Sequence, residues 1–321
     1  MSYEKDLKLL FSIIKPNNIN PELKLVYKKG RDLFSTDLET VVILKNVNTP
    51  PEGAYNKTQM QIKNYEQSQN VSNHPDINKF DFKADNSLTI KSNTLKRLIE
   101  STLFAADKTK KNLSLRGLHF NVSFDTLTVV ATDTYRMKKT VINDISGEEF
   151  KFLLPTHICK ILLADLILDN SFVHIDVKDG YIKVRYLNRE IIGKTLPLRF
   201  PDYKTIFNNV DADKKVTVVR KDMLEALKKI ELVSKSRLDK YAFELILNRC
   251  TLTLKAFNND CSCRFEVEAL SDVESFITYL NSRFFLEYLK ISKNEVVKIS
   301  FSESGSIIVI DDEYLMMPVR Y

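Results

Sequence analysis

Apolar residues recur along this chain in two rhythms, one of three to four positions and one of two, and the first predicts three amphipathic helices. They run over Lys5 to Lys15, Thr94 to Ala106 and Asp222 to Val233. In the second of them Leu95, Leu98, Ile99, Leu103 and Ala106 make the stripe, while Lys96, Arg97 and Glu100 stay off it. A further helix follows each after an interval: Tyr55 to Gln67, Thr156 to Leu168 and Asn281 to Ile291. Pro155-Thr156 and Asn281-Ser282 suit helix starts. Between the members of each pair lie β-rich runs with near-alternation, such as Leu118 to Val130 and Phe243 to Leu254, which predict strands meeting in hairpins.

The pattern is therefore a repeat of helix, strands, helix, strands. The first helices of the second and third units begin at residues 94 and 222, and their second helices at 156 and 281, so an α+β module of about 125 residues is used twice. The first unit is shorter, with its first helix at residue 5. Its deficit falls after the second helix, in NYEQSQNVSNHPDINKFDF, a polar stretch with little alternation that reads as loop or linker. Two or more strands are expected to be missing there. The resulting division is 1–86, 87–207 and 208–321.

Length and composition agree with that organisation. A chain of 321 residues corresponds to two or three domains, and 44% apolar with 28% charged residues places it among globular proteins that bury real cores. Glycine removes whole function classes. There are only seven, and the nearest two, Gly180 and Gly193, are too far apart for the glycine-rich loops that cradle nucleotide phosphates. The four cysteines make no CxxC and fit a reducing compartment, and no apolar run approaches 18 residues, so a cytoplasmic chain with no membrane contact is expected. The net charge of +6 is carried by residues 87–207, since 1–86 sum to +1 and 208–321 to −1. A basic middle suits nucleic acid or simply a lysine-rich surface.

Residues Leu113 to Met137, LSLRGLHFNVSFDTLTVVATDTYRM, narrow the choice. They resemble the bacterial DNA polymerase III beta subunit family, the replicative sliding clamps, in which a leucine and a glycine precede a strand hairpin closing in an Ala-Thr-Asp-Gly-His-Arg-Leu-like segment. Ala131-Thr132-Asp133-Thr134-Tyr135-Arg136-Met137 stands in that place. Two further segments follow in the family's order: Arg199-Phe200-Pro201-Asp202-Tyr203, like the join between its second and third domains, and the closing Met316-Met317-Pro318-Val319-Arg320-Tyr321. In residues 1–86 the resemblance rests on Ser35-Thr36-Asp37-Leu38-Glu39 and the first helix.

The resemblance implies an α+β DNA-clamp fold, with tandem repeated domains forming part of a ring, a shortened first domain, no enzymatic activity and no cofactor or metal. It implies that the chain encircles duplex DNA without reading sequence and tethers a DNA polymerase, and that a separate clamp loader opens the ring. Diffuse lysines suit sliding, because phosphate contacts carry no sequence information. The candidates are Lys96, Arg97, Lys108, Lys110, Lys111, Lys228 and Lys229. Partners would insert a short apolar peptide between the second and third domains, where the positions matching the family's pocket are Leu115, Thr132, Thr134, Tyr135, Arg136, Met137, Pro201, Ile206, Leu315, Met317, Pro318, Val319 and Arg320. Leu232 and Val233 match its homodimer contact, although the shortened first domain leaves a monomer that closes no ring as the other outcome.

Three rival readings are distinguishable. Asp37 and Asp133 sit in similar Ser/Ala-Thr-Asp contexts that invite comparison with paired catalytic carboxylates, but Tyr135 occupies the position of a needed glycine. Cys250, Cys261 and Cys263 with a histidine could hold a metal, although Cys250 and Cys261 bracket a hairpin. A clamp-derived adaptor would keep the peptide pocket and lose encirclement.

Overall fold

The computed structural model describes residues 3–66, 68, 82–109, 112–145, 148–197, 199–210, 212–235, 241–258, 261–302 and 307–319. Lys110, Lys111, Arg320 and most of the polar stretch after the first unit's second helix lie outside the described residues. The chain divides into two compact units. Unit 1 comprises residues 1–103, 109–129 and 141–199, and unit 2 comprises 104–108, 130–140 and 200–321.

Unit 1 opens with α1 (Tyr3–Phe11), β1 (Val26–Lys29), β2 (Asp32–Thr36), β3 (Thr40–Leu44), β4 (Gly53–Tyr55) and α2 (Lys57–Ile62). It continues with β5 (Asn86–Lys91), α3 (Ser92–Thr102) and β6 (Gly117–Val122). The strands β7 (Thr126–Thr132) and β8 (Arg136–Asn143) contribute to both units, and unit 1 closes with β9 (Phe150–Pro155), α4 (Thr156–Asp165), β10 (Phe172–Lys178), β11 (Tyr181–Tyr186) and β12 (Arg189–Lys194). Its main sheet has eight strands in the order β4-β1-β2-β3-β12-β11-β10-β5. The pairing of β3 with β12, in register Val42 to Ile191, joins the segment before residue 86 to the one after it.

Both faces of β2 and β3 are buried apart from Asp32, with apolar side chains predominating. Tyr27, Phe34, Val41, Ile43 and Ile192 gather on one face, with Phe82 and Tyr181 packed against them. On the other, α1 lies over β2 and β3. There the fully buried Arg189 donates from Nη2 to Asp6 Oδ1 at 2.5 Å and brings Nε within 2.8 Å of Asp165 Oδ2, an ion contact rather than a well-directed hydrogen bond. Tyr186 donates its hydroxyl to the same Asp165 oxygen at 2.8 Å. One guanidinium thus ties α1, α4 and β12 together.

Unit 2 contains α5 (Tyr203–Asn208), β13 (Lys214–Val219), α6 (Arg220–Ser234), β14 (Ala242–Asn248), β15 (Thr251–Phe257) and β16 (Ser262–Ser271). It ends with β17 (Ser275–Asn281), α7 (Ser282–Ile291), β18 (Val296–Phe301), β19 (Ile308–Ile310) and β20 (Tyr314–Met316). These strands form the run β17-β14-β15-β16-β13-β18-β19-β20, and β20 pairs with β8 in register Leu315 to Met137. Helices α6 and α7 pack side by side over one face, burying Met223, Leu227, Ile230, Phe285 and Leu289 against the sheet. The expected runs resolve into hairpins as predicted: Leu118 to Val130 spans β6 and β7, and Phe243 to Leu254 spans β14 and β15.

The helix over Tyr55 to Gln67 is the main departure. Tyr55 ends a strand, and α2 begins only after Asn56, whose side chain accepts from Gln59 N while Gln59 accepts from Asn56 N. Lys63, in a left-handed conformation at φ 55°, stops it one turn later. The helix over Lys5 to Lys15 likewise ends at Phe11, where Ser12 Oγ donates back to Leu9 O. Cys250 and Cys261 fall at opposite ends of β15, whose seven residues span about 20 Å, and no cluster of three metal-ligating side chains occurs among the described residues.

Candidate functional site

The β7–β8 turn is built by short polar side chains. Thr132 Oγ1 donates to Arg136 O at 2.6 Å and accepts from Thr134 N, while Asp133 Oδ1 accepts from both Tyr135 N and Arg136 N at 3.1 Å. The β2–β3 turn of unit 1 repeats each bond: Thr36 Oγ1 to Thr40 O, Leu38 N to Thr36 Oγ1, and Glu39 N and Thr40 N to Asp37 Oδ1. The third module keeps part of it, with Asn258 N donating to Cys261 O and Cys261 N donating to Asn258 Oδ1. The two aspartates that invited comparison with paired catalytic carboxylates are therefore turn builders within separate hairpins, each with an oxygen committed to backbone amides.

Thr134 and Leu38 occupy the same position of the two turns and share a left-handed backbone, at φ 78° and 74°. Side chains with a Cβ are strained there. Thr134→Gly is expected to raise stability by about 0.5–1 kcal/mol, the relief of strain less the added chain entropy of glycine. Urea denaturation checks this, and a lower midpoint at unchanged slope would show that the threonine side chain holds the turn.

Beyond the turn, strand alternation sends Arg136 and Met137 to opposite faces. Met137 joins Val130, Val309, Leu315 and Tyr203 in an apolar cluster, with Phe200, Ile206 and Phe207 packed against it half-buried. The cover is α5, which Asp202 starts by accepting from Thr205 N and Thr205 Oγ1. Lys139, two residues beyond Met137 on the same face, sets its Nζ 4.1 Å from the centroid of the Phe207 ring. Next to this cluster the chain end is held twice: Met317 N donates to Tyr135 O at 2.8 Å and Val319 N to Tyr279 O on the edge strand β17 at 2.7 Å. Met317 and Tyr135 are exposed and Pro201, Pro318 and Val319 partly so.

Arg136 works on the other face. Its Nη1 donates to Glu287 Oε2 at 2.5 Å, Nε to Asp133 Oδ2 at 2.9 Å and Nη2 to Phe104 O at 2.9 Å, and the guanidinium lies 4.1 Å from the Phe284 ring centroid. Burial alone would push the Glu287 carboxyl up, but Arg136, with Lys108 and Arg283 nearby, outweighs it and holds the group below the usual glutamate value.

Of the expected pocket residues, Thr132, Thr134, Tyr135, Met137, Pro201, Ile206, Leu315, Met317, Pro318 and Val319 thus fall in or beside one region of unit 2. Leu115 is buried in unit 1, and Arg320 lies outside the described residues. Sequence reasoning missed Val130, Val309, Phe207 and Lys139. The spacing of Tyr203, Ile206 and Phe207 was the available signal, an apolar i, i+3, i+4 set in a helix of only six residues. Among the expected DNA contacts, Lys96 donates to Leu166 O at 2.7 Å, Arg97 and Lys228 are exposed, Lys108 pairs with Glu287 at 3.5 Å, and Lys229 sits 5.0 Å from the Phe265 ring. Leu232 is 78% exposed, whereas Val233 packs against the unit 2 core.

Comparison with known proteins bears on this arrangement. The family model for the DNA polymerase III beta subunit, central domain, matches residues 89–202. The beta sliding clamp of Chlamydia muridarum is 25% identical over 243 residues, which cover 72% of this chain and 64% of that protein, and the one from Haemophilus influenzae is 23% identical, covering 75% and 67%. The solved DNA polymerase sliding clamp of Pseudomonas aeruginosa superposes with a TM-score of 0.85 at 21% identity, covering 100% of this chain and 99% of that one. The chain is similar to the beta sliding clamps, in sequence most clearly over the central domain and in fold over its whole length. The Thermotoga maritima DNA polymerase III beta subunit gives the same TM-score at 20% identity, and the shared fold is the DNA clamp. In sequence the chain aligns with less than two thirds of the length of the Chlamydia proteins it matches. Among the described residues no helix is long and apolar enough to cross a membrane.

Proposed function

We propose that the chain is a DNA sliding clamp, a non-enzymatic processivity factor that encircles duplex DNA and tethers a DNA polymerase through a short apolar peptide. The apolar cluster under α5, beside the doubly held chain end, carries the peptide half of this reading. Its exposed margin joins adaptable methionine to half-buried aromatic rings, a surface suited to Leu- or Phe-like anchors that each contribute about 1.5–3 kcal/mol when buried. The relatives' names support the DNA half, as do the lysines on α3 and α6. We place the partner residues at Thr134, Tyr135, Pro201, Ile206, Met317, Pro318 and Val319, with Met137 and Leu315 as the floor. Arg136 positions the turn instead of meeting the peptide. The three-domain division at residues 86 and 207 and a homodimeric ring belong to the same proposal.

The test is binding of a fluorescent peptide with two or three Leu/Phe anchors. Met317→Ala, or removal of Pro318 to Tyr321, is expected to weaken it about five- to tenfold, the effect of losing roughly 1 kcal/mol or a little more. Undiminished affinity in both would end the assignment of the site. A solution mass of twice 37.2 kDa with retention on circular duplex is the expected companion result. A mass of 37.2 kDa without retention would instead mark a chain that binds partners and closes no ring.

A further inference from the structure

We propose that unit 1 holds a second peptide site on the same frame as the one in unit 2, and that this chain's own Phe82 occupies it in place of a partner's anchor. The β2–β3 and β7–β8 turns share their hydrogen bonds. After each turn the next strand gives one apolar residue to a floor: Val41 lies opposite Ile192, and Met137 opposite Leu315. Four residues past that partner the chain crosses an edge strand. Leu196 N donates to Leu153 O at 3.4 Å as Val319 N donates to Tyr279 O at 2.7 Å, and both acceptors stand three residues before a helix, α4 and α7. Turn, floor and crossing segment recur in one order, so the two places are equivalent positions of the repeat.

The covers differ. In unit 2 Tyr203 precedes β13 by eleven residues, and α5 lies among them and sets Ile206 and Phe207 against the floor. In unit 1 Phe82 precedes β5 by four, and it is the one large apolar side chain among residues 82–85. Phe82 is half-buried against the cluster that includes Val41 and Ile192. Beyond it the strap is held at Asp85, whose N donates to Val177 O at 3.3 Å and whose carboxylate pairs with Lys178 at 3.6 Å. A single side chain on a short strap leaves its seat by local opening, without unfolding the sheet beneath.

The floors differ in charge. Next to Leu315 the sheet offers Val309, whereas next to Ile192 it offers Lys183. Lys183 is buried, and its Nζ lies 4.7 Å from the centroid of the Phe82 ring. The acid opposite Lys183 in register is Asp176, which accepts from Nε and Nη2 of Arg185. An aromatic anchor keeps the contact with the ammonium, and a carboxylate beside the ring adds an ion pair to it. The partner class for unit 1 is therefore a short peptide whose Phe or Tyr anchor stands next to an acidic residue.

This inference rests on the peptide reading of unit 2, and the experiment separates the two. An anchor tethered in cis competes at roughly millimolar effective concentration, so a free peptide at micromolar concentration finds the unit 1 site closed. Calorimetric titrations use the full chain, Phe82→Ala and Phe82→Ala/Lys183→Met. Each is titrated with a Leu/Phe-anchored peptide and with the same peptide carrying Asp beside its Phe. One peptide per wild-type chain and two per Phe82→Ala chain are the expected result. At the second site the Asp peptide is expected to bind about tenfold tighter than the neutral one, and the double variant to lose that preference. One peptide per chain in folded Phe82→Ala overturns the proposal, as do two per wild-type chain at the same affinity, since Phe82 then closes nothing. A preference for Asp that survives in the double variant overturns the role of Lys183. Phe82→Leu, a milder change, replaces an alanine variant that does not fold, and one peptide per chain there overturns the site equally. Peptide bound by Phe82→Ala but not by wild type removes the unit 2 reading and supports this one, and binding to neither removes both.

Discussion

Arg189→Met is expected to cost unit 1 about 3–5 kcal/mol, the loss incurred when one partner of a buried ion cluster is removed and the others keep their charge. Arg189 is 1% exposed, and Asp165, 5% exposed, faces it beside Asp6. Methionine fills the stem's volume, so the effect reports charge rather than a void. The pH dependence carries a sign. Burial, and secondarily the neighbouring Asp165, hold the Asp6 carboxyl above its usual value even against the pull of Arg189. Without the guanidinium that rise is larger, and protonation neutralises the stranded Asp6 as the solution is acidified. The deficit relative to wild type is therefore expected to shrink from pH 7 towards pH 5, measured by urea denaturation at each pH. A deficit independent of pH would mean that packing, not charge, was lost.

The second large effect is at Arg136. Arg136→Met removes the buried cation shared by Glu287 and Asp133, leaving Glu287 only the more exposed Lys108 and Arg283, and about 3 kcal/mol of stability is expected to go from unit 2. Glu287→Gln added to it should restore part of the loss, because the acid that needed the arginine is gone. The wild-type contribution of Glu287 is present above its unfolded value of 4.5 and is lost as pH falls through the lowered folded value. Peptide affinity should fall in Arg136→Met as well, since the turn that offers Tyr135 O to Met317 N is fixed through Asp133 by this side chain. An Arg136 variant with normal stability and normal peptide binding would refute the positioning role.

The repeat was legible because it rests on periodicity, and the second and third modules reproduce it at the level of single hydrogen bonds: Asp133 and Asn258 stand 125 residues apart, each accepting from an amide two or three residues on. The apolar cluster under α5 was legible in part, from Met137, Leu315 and Ile206. Grouping Arg136 with Met137 overlooks that a strand places adjacent residues on opposite faces, which sets Met137 in the apolar cluster and Arg136 against Glu287 and Asp133. Helix ends were least legible. Nothing in the composition of Tyr55 to Gln67 announces that Lys63 takes a left-handed backbone, and a stop of that kind is set by the packing around it. The α5 cover escaped because six residues are too few for a period to register.

Residues 317–319 are fastened by two amides, Met317 to the β7–β8 turn and Val319 to the edge strand β17. That makes this segment a poor place for a label. A dye or an inserted tag there would tug on Val319 and shade the very margin whose occupancy is to be measured, so the handle for purification and the dye for binding work belong elsewhere on the molecule.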